Sequence, residues 1–221
     1  MNLSLLLEMS ADGLGDAVAF GPEAGPGGLS HAGLLERSRR AAAWLAAHQG
    51  QHVGLIDVNS LAVPILLYGS AIAGKPFVPI NYRLTDEQLR TILGRIVPAV
   101  VVADAAVVDR LGAVDGIELV SREEFLAAVQ EEASPSADAA QAAPAAQAAA
   151  SPDDIAVLLF TSGTTGEPKA AVLRQKHLVA YVISSVEFMG AVGDEAGEVA
   201  LISVPPYHIA GVSAVLTSVY A

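Results

Sequence analysis

The 221-residue sequence contains no cysteine. That absence excludes disulfides, Cys-ligated zinc and a thiol nucleophile, and it leaves the redox compartment open. Basic residues are scarce, with 12 Lys and Arg against 24 Asp and Glu for a net charge of -12. A nucleic-acid partner needs clustered Lys and Arg, and the densest basic cluster, Arg37, Arg39 and Arg40, reads as the solvated face of one helix. Nucleic acid is therefore not expected as a partner. Long apolar runs are also missing. The longest, Leu61 to Gly74, falls short of the roughly 20 residues a membrane-spanning helix needs, so no transmembrane segment is expected. Met1 to Ser10 carries leucines but neither a basic n-region nor a small-residue cleavage site, unlike a secretory signal. The expected protein is soluble and cytoplasmic. His31, His48, His52 and His177 show no metal-ligand spacing, and no metal site is expected among them.

What the sequence does have is apolar side chains: 52% of residues are hydrophobic and only 16% charged. That composition excludes wholesale disorder and supplies a sizeable core. Ser30 is placed to cap a helix running to about His48, closed by Gly50. His52 to Val58 then reads as a β-branched strand, Leu61 to Ala73 as an apolar helix and Phe77 to Ile80 as a short strand. A strand, helix, strand order of this kind builds a parallel sheet. Thr85 caps the next helix, with Asp86 and Glu87 in its first turn, and Gly94 and Pro98 end it. Strands are expected at Ala99 to Ala103 and Ile117 to Val120, and a helix from Arg122 to Gln130.

Between Glu131 and Ser151 the composition turns to Ala, Pro, Gln and Ser, without large apolar side chains. This stretch reads as a linker or long surface loop. It separates a first α/β portion, residues 1–130, from a second, residues 152–221. In the second, Ile155 to Phe160 is a fully apolar strand, Ala170 to Leu173 a short one, and Lys176 to Phe188 a helix. Val199 to Val204 is expected as a further strand, followed by a Pro205–Pro206 turn and a helical segment from Ala210 to Ala221. Both portions alternate strands and helices, and the fold class is α/β, with layered sheets flanked by helices.

The chemistry is concentrated in the loop Thr161-Ser162-Gly163-Thr164-Thr165-Gly166-Glu167-Pro168-Lys169. Its two glycines allow positive φ, so that successive backbone N–H groups can converge on an anion. Thr161, Ser162, Thr164 and Thr165 add hydroxyls, and Lys169 adds a mobile positive charge. In an acidic chain, such a local concentration of donors is what a polyphosphate requires. The blander reading is a Ser/Thr-rich hairpin turn. A Walker A loop is excluded, because Glu167 and Pro168 separate the second glycine from the lysine, and Pro168 argues against a helix leaving the loop directly.

The order Ser-Gly-Thr-Thr-Gly-x-Pro-Lys after a buried strand resembles the phosphate-binding signature of the adenylate-forming superfamily, which includes acyl- and aryl-CoA synthetases. Two further segments agree. Phe77 to Leu84 (FVPINYRL) is similar to the family's strand followed by Asn-x-Arg-Leu, and Pro206 to Gly211 (PYHIAG) resembles the P-x-x-H-x-x-G motif of acyl- and aryl-CoA ligases. The resemblance runs from about residue 29 to the end.

The resemblance implies a partial N-terminal domain of an adenylate-forming enzyme. Its substrates would be MgATP, a small-molecule carboxylic acid and coenzyme A, with Mg2+ as cofactor, through acyl-AMP to the thioester. Thr161, Ser162, Gly163, Thr164, Thr165, Gly166 and Lys169 would hold the ATP phosphates, and His208 with Gly211 would border the acyl pocket. A fatty acid is the leading substrate expectation. The run His208 to Leu216 also resembles o-succinylbenzoate–CoA ligases, which keeps aryl acids open. An acyl-AMP ligase and a short non-catalytic nucleotide-binding module stay open as well. Segments that the family carries after this point are absent, including the Tyr-Gly-x-Thr-Glu segment whose glutamate helps bind magnesium and the distant adenylation lysine. The catalytic residues are therefore expected beyond Ala221, the chain is expected to be an N-terminal fragment inactive alone, and uncovered apolar faces would favour its self-association. Tyr207 is open between packing and function. Arg83 is expected to hold a local turn or salt bridge, and Asp153 and Asp154 are expected to be solvated loop carboxylates.

Overall fold

The computed structural model describes residues 1–21, 28–130, 151–161, 168–190 and 200–220. In chain order these form α1 (Leu3–Leu14), β1 (Val18–Phe20), β2 (Leu29–Ser30), α2 (His31–Ala47), β3 (His52–Ile56), α3 (Ala62–Ala73), β4 (Phe77–Pro79) and α4 (Asp86–Leu93). They continue with β5 (Ala99–Ala103), α5 (Ala105–Leu111), β6 (Ile117–Ser121), α6 (Arg122–Gln130), β7 (Ile155–Thr161), β8 (Lys169–Arg174), α7 (Gln175–Gly190) and α8 (Ile209–Tyr220).

Six strands make one sheet in the order β6-β5-β3-β4-β7-β8. Every neighbouring pair is parallel except β7 and β8, which are antiparallel. β4 joins β7 at Phe77 and Val157, so strands from both sides of the Ala/Pro-rich stretch share one sheet. That stretch lies outside the described residues as far as Ala150. Buried β-branched and aliphatic side chains alternate between the two faces, as strands covered on both sides require. Val53, Leu55, Phe77 and Val157 point into one apolar cluster with α1, α2, α3, α7 and α8, while Ile56, Val78, Val101 and Ala103 point into another with α4 and α5. Hence β3 sends its helix to one face and β4 and β5 send theirs to the other. The carboxyl ends of the strands at such a reversal form a crevice, the usual ligand position in open α/β sheets.

Most elements follow from local chemistry. Ser30 caps α2, its Oγ accepting from Gly33 N at 3.1 Å. Thr85 and Gln88 form a reciprocal capping box at the start of α4. α3 is buried on every side from Ala62 to Ala71, which explains its lack of polar periodicity, and it ends at Gly74 in the left-handed region (φ 67°).

Two expectations are corrected. Residues 200–204 are irregular and join no sheet, because Asn59 Nδ2 donates to the carbonyls of Ile202 (2.8 Å) and Val204 (3.2 Å), and Pro205 cannot extend a ladder. The basic cluster on α2 is more than a solvated face. Arg39 pairs with Glu8 of α1 at 3.0 Å, and Arg40 donates to the carbonyls of Val129 (3.4 Å) and Gln130 (3.1 Å), satisfying the open end of α6. Asp153 and Asp154 are exposed as expected, but each is engaged: Asp153 pairs with Lys176 at 2.6 Å, and Asp154 accepts from Ser151 N at 2.7 Å.

Candidate functional site

The carboxyl edge of the parallel strands carries Thr161 and Lys169, the two described ends of the candidate phosphate loop. β7 runs parallel to β4, so Thr161 at its end lies on the same edge of the sheet as the turn that leaves β4. β8 returns antiparallel with Lys169 opposite Thr161, and Thr161 Oγ1 donates to Lys169 O at 3.4 Å. The two ends of the glycine-rich loop are thereby held side by side, and both residues are exposed. Ser162, Gly163, Thr164, Thr165, Gly166 and Glu167 lie outside the described residues. A strand follows the loop rather than a helix, as Pro168 implied. A lysine fixed by a strand pair at the mouth of such a loop offers a positive charge to an anion without a helix dipole behind it.

His208 comes to the same region from the other end of the chain. Pro205 and Pro206 turn the backbone, His208 N donates to Pro205 O at 3.2 Å, and His208 O accepts from Gly211 N (2.9 Å) and Val212 N (3.2 Å) as α8 begins. The imidazole is exposed. Gly211 is buried against the proline turn: a Cβ there would overlap the Pro205 carbonyl oxygen and sit 2.9 Å from its carbon and 3.1 Å from Pro206 Cα. The glycine of the P-x-x-H-x-x-G pattern is thus required by backbone approach, which the motif alone did not explain.

Tyr207 is a packing residue, 8% exposed. Its ring meets Tyr82 edge-on at 5.6 Å between centroids and lies 4.6 Å from the His208 ring. Arg83 holds the turn after β4 through its backbone, its N donating to Asn81 Oδ1 at 2.9 Å, and its guanidinium carbon lies 5.5 Å from the Tyr82 ring centroid. Of the two expected roles, a turn or a salt bridge, the backbone fills the first, and the guanidinium meets an aromatic face. Tyr82 and Asn59 were not singled out by sequence for this site. Tyr82 was visible within FVPINYRL, while Asn59 reaches partners 143 and 145 residues away that no local pattern marks.

Around the site the polar groups are tightly committed. Asp57, at the end of β3, is 1% exposed and accepts from Val58 N (2.9 Å), Ser60 Oγ (2.7 Å) and Arg122 Nη1 (2.7 Å). These three donors engage both carboxylate oxygens and fix the turn that leaves β3, a structural task and not that of a general base. Farther away, burial lowers the Lys75 ammonium below its usual range, and its Nζ donates to Leu45 O (2.6 Å) and His48 O (3.1 Å) at the end of α2. No group of three His, Asp or Glu side chains among the described residues could hold a metal ion. Among the described residues no helix is long and apolar enough to cross a membrane.

An open α/β sheet that carries Lys169 and the histidine turn at its carboxyl edge has the architecture in which such sheets bind ligands. The chain belongs to the AMP-binding enzyme family, whose model matches residues 7–221. It is similar to a probable 2-succinylbenzoate–CoA ligase of Mycobacterium tuberculosis, 42% identical over 69 residues, which are 31% of this chain and 17% of that protein. An indoleacetate–CoA ligase of Aromatoleum aromaticum is 27% identical over 185 residues, covering 82% of this chain and 36% of its own length. In structure the chain resembles VinN in complex with 3-methylaspartate, with a TM-score of 0.79 at 24% identity over 100% of this chain and 59% of that one. It also resembles a fatty acyl CoA synthetase of Mycobacterium tuberculosis, with a TM-score of 0.75 at 22% identity over 99% of this chain and 43% of that one. These structural likenesses establish the mixed α/β fold of adenylate-forming N-terminal domains. The chain spans at most about a third of the length of the two ligases it matches.

Proposed function

We propose that this chain supplies the phosphate loop and the acid-side histidine of an AMP-forming acid–thiol ligase, which joins a carboxylic acid to ATP as acyl-AMP and passes the acyl group to coenzyme A. The observation that carries the reading is the Thr161–Lys169 pair, which holds the ends of the glycine-rich loop together at the carboxyl edge of the sheet. Two anions must meet in the first half-reaction, and pyrophosphate must leave, so the chief demand is charge neutralisation at the phosphates. Residues 162–166 would wrap the β- and γ-phosphates, Lys169 would offset their charge, and His208 with Gly211 would border the acyl group. Mg2+ would arrive with ATP.

The adenylation lysine and the magnesium-binding glutamate expected from the resemblance are not found in these 221 residues. The chain on its own therefore binds phosphate without turnover. The test is acid-dependent ATP–pyrophosphate exchange by the purified chain, with hexanoate and benzoate as the two acids. No exchange above background, together with saturable binding of pyrophosphate, is the expected result, and robust exchange would refute the fragment reading. An aryl acid is a second reading of the substrate, favoured by the Tyr82–Tyr207 ring pair beside His208 and by the similarity to succinylbenzoate and indoleacetate ligases. A fatty acid remains the first reading, and competition between the two acids in a longer parent enzyme would separate them.

A further inference from the structure

We infer that Tyr82 is a positioning residue for His208, acting through the ring of Tyr207; the inference rests on the reading of His208 as the acid-side residue. Three ring contacts run in series from the turn after β4 to the imidazole. The Arg83 guanidinium carbon lies 5.5 Å from the Tyr82 centroid, Tyr82 meets Tyr207 at 5.6 Å with an interplanar angle of 73°, and Tyr207 meets His208 at 4.6 Å with 51°. Edge-on contact is the favoured arrangement of aromatic quadrupoles, and it resists rotation of either ring.

The two ends of this series differ in rigidity. Tyr82 stands on a turn locked on both sides. Before it, Ile80 N donates to Leu55 O at 2.8 Å; after it, Leu84 N donates to Asn81 O at 3.2 Å and the capping box of Thr85 and Gln88 begins α4. His208 stands on a segment without a strand ladder, so its imidazole owes its orientation to what its neighbours touch. Asn59 ties Ile202 and Val204 to the end of β3, and the Gly211 contact ties the proline turn to α8, but both act on backbone. Among the described residues the ring of Tyr207 is the aromatic neighbour of the exposed imidazole. A half-buried tyrosine on a rigid turn thereby sets the rotamer of an exposed histidine 126 residues later, through one intervening ring. An exposed histidine without such support samples several rotamers, and placing a group for chemistry requires that freedom to be removed beforehand.

The test uses the 221-residue chain with 13C-labelled histidine. Its five histidines give a simple spectrum, in which His208→Gln identifies the His208 resonance. Tyr82→Leu, which keeps apolar bulk and removes the ring, is expected to shift and broaden the His208 signal while the other four hold their positions. Tyr82→Phe, which keeps the ring, is expected to leave it in place. Calorimetric titration with a non-hydrolysable hexanoyl-sulfamoyl adenosine adds the functional arm: affinity should fall about 2- to 10-fold in Tyr82→Leu, the span of one aromatic contact, and recover in Tyr82→Phe. An unchanged His208 signal in Tyr82→Leu overturns the inference. Weakened binding in His208→Ala with unchanged binding in Tyr82→Leu also overturns it and leaves the acid-side reading intact. If the adenylate mimic binds His208→Ala as well as the parent, the acid-side reading itself fails, and the ligand-free spectrum alone decides whether Tyr82 orients the imidazole.

Discussion

Asp57 and Arg122 are 65 residues apart in the chain and joined at 2.7 Å across the carboxyl edge of the sheet, Asp57 after β3 and Arg122 after β6, with β5 between the two strands. Arg122 also reaches Glu123 at 2.7 Å and Asp104, after β5, at 3.5 Å. One guanidinium therefore links the exits of three adjacent strands. Replacing Asp57 by Ala would leave two donors and a cation facing a buried void, a change that costs about 2–3 kcal/mol given the partial exposure of Arg122. Urea unfolding should show a lower midpoint at unchanged slope. A midpoint within error of the parent would mean that water replaces the carboxylate at no cost.

A second buried contact makes stability depend on pH. His31 is 4% exposed; its Nδ1 lies 2.6 Å from Ser10 Oγ, which donates to Val219 O at 2.5 Å. The serine hydrogen is committed to the carbonyl, so His31 Nδ1–H is the donor to Ser10 Oγ. Burial lowers the pKa of His31 below its ordinary 6.5, and its place in the first turn of α2 also disfavours a cation. With the folded pKa below the unfolded one, the unfolded chain binds the proton first. The contribution is then fully present above about pH 6.5 and is lost as pH falls from there through the lowered value. Thermal unfolding between pH 7.5 and 5 should fall more steeply for the parent than for His31→Gln. Parallel curves would show that His31 is protonated without penalty.

Gly211 offers a test that separates motif from packing. Alanine there collides with backbone atoms of Pro205 and Pro206, which yield less readily than a side chain. Overpacking of this kind costs about 1–3 kcal/mol, and the relief must move the turn that carries His208. Gly211→Ala should therefore lower the melting temperature and change the His208 resonance together. A fully stable Gly211→Ala with an unmoved His208 would show that the close approach is not maintained in solution.

The sequence and the structure agree where the signal is local. Ala99 to Ala103 and Arg122 to Gln130 coincide with β5 and α6, because a fully apolar β-branched run and a charged first turn each leave one choice. Ser30 and Thr85 were legible as caps for the same reason. Four elements were not legible. α1 begins where Leu3 N meets Gln175 Oε1 at 3.0 Å, a partner 172 residues away, and its leucines alone did not define a helix. α5 is only 7 residues long and starts on Asp104, whose Oδ1 accepts from Ala106 N at 3.0 Å; that is too short for a period to show. β1 and β2 pair antiparallel over 3 and 2 residues beside a stretch rich in Gly and Pro. At the site, the histidine turn and the loop ends were marked by motif, whereas Asn59 and Tyr82 gain their roles only from contacts made over more than 120 residues. The strand expected at Val199 to Val204 failed for the same reason: a distant asparagine takes the carbonyls of residues 202 and 204 that a ladder would use.

Lys169 carries the sharpest functional prediction. It is exposed at the first position of β8, opposite Thr161, in a chain of net charge -12. The general field repels polyphosphates, so binding must come from local donors, and a charge-assisted contact is the strongest of these. Lys169→Met keeps the stem of the side chain and removes the charge. Pyrophosphate binding measured by calorimetry should weaken about 10- to 100-fold, the range of a hydrogen bond to a charged group. Stability should change by less than about 0.5 kcal/mol, because the position is on the surface. The salt dependence gives an independent check: added salt should weaken binding to the parent, and the slope should flatten in the variant. Equal affinities at low salt would remove Lys169 from the phosphate site and return the loop to a Ser/Thr-rich turn between two strands.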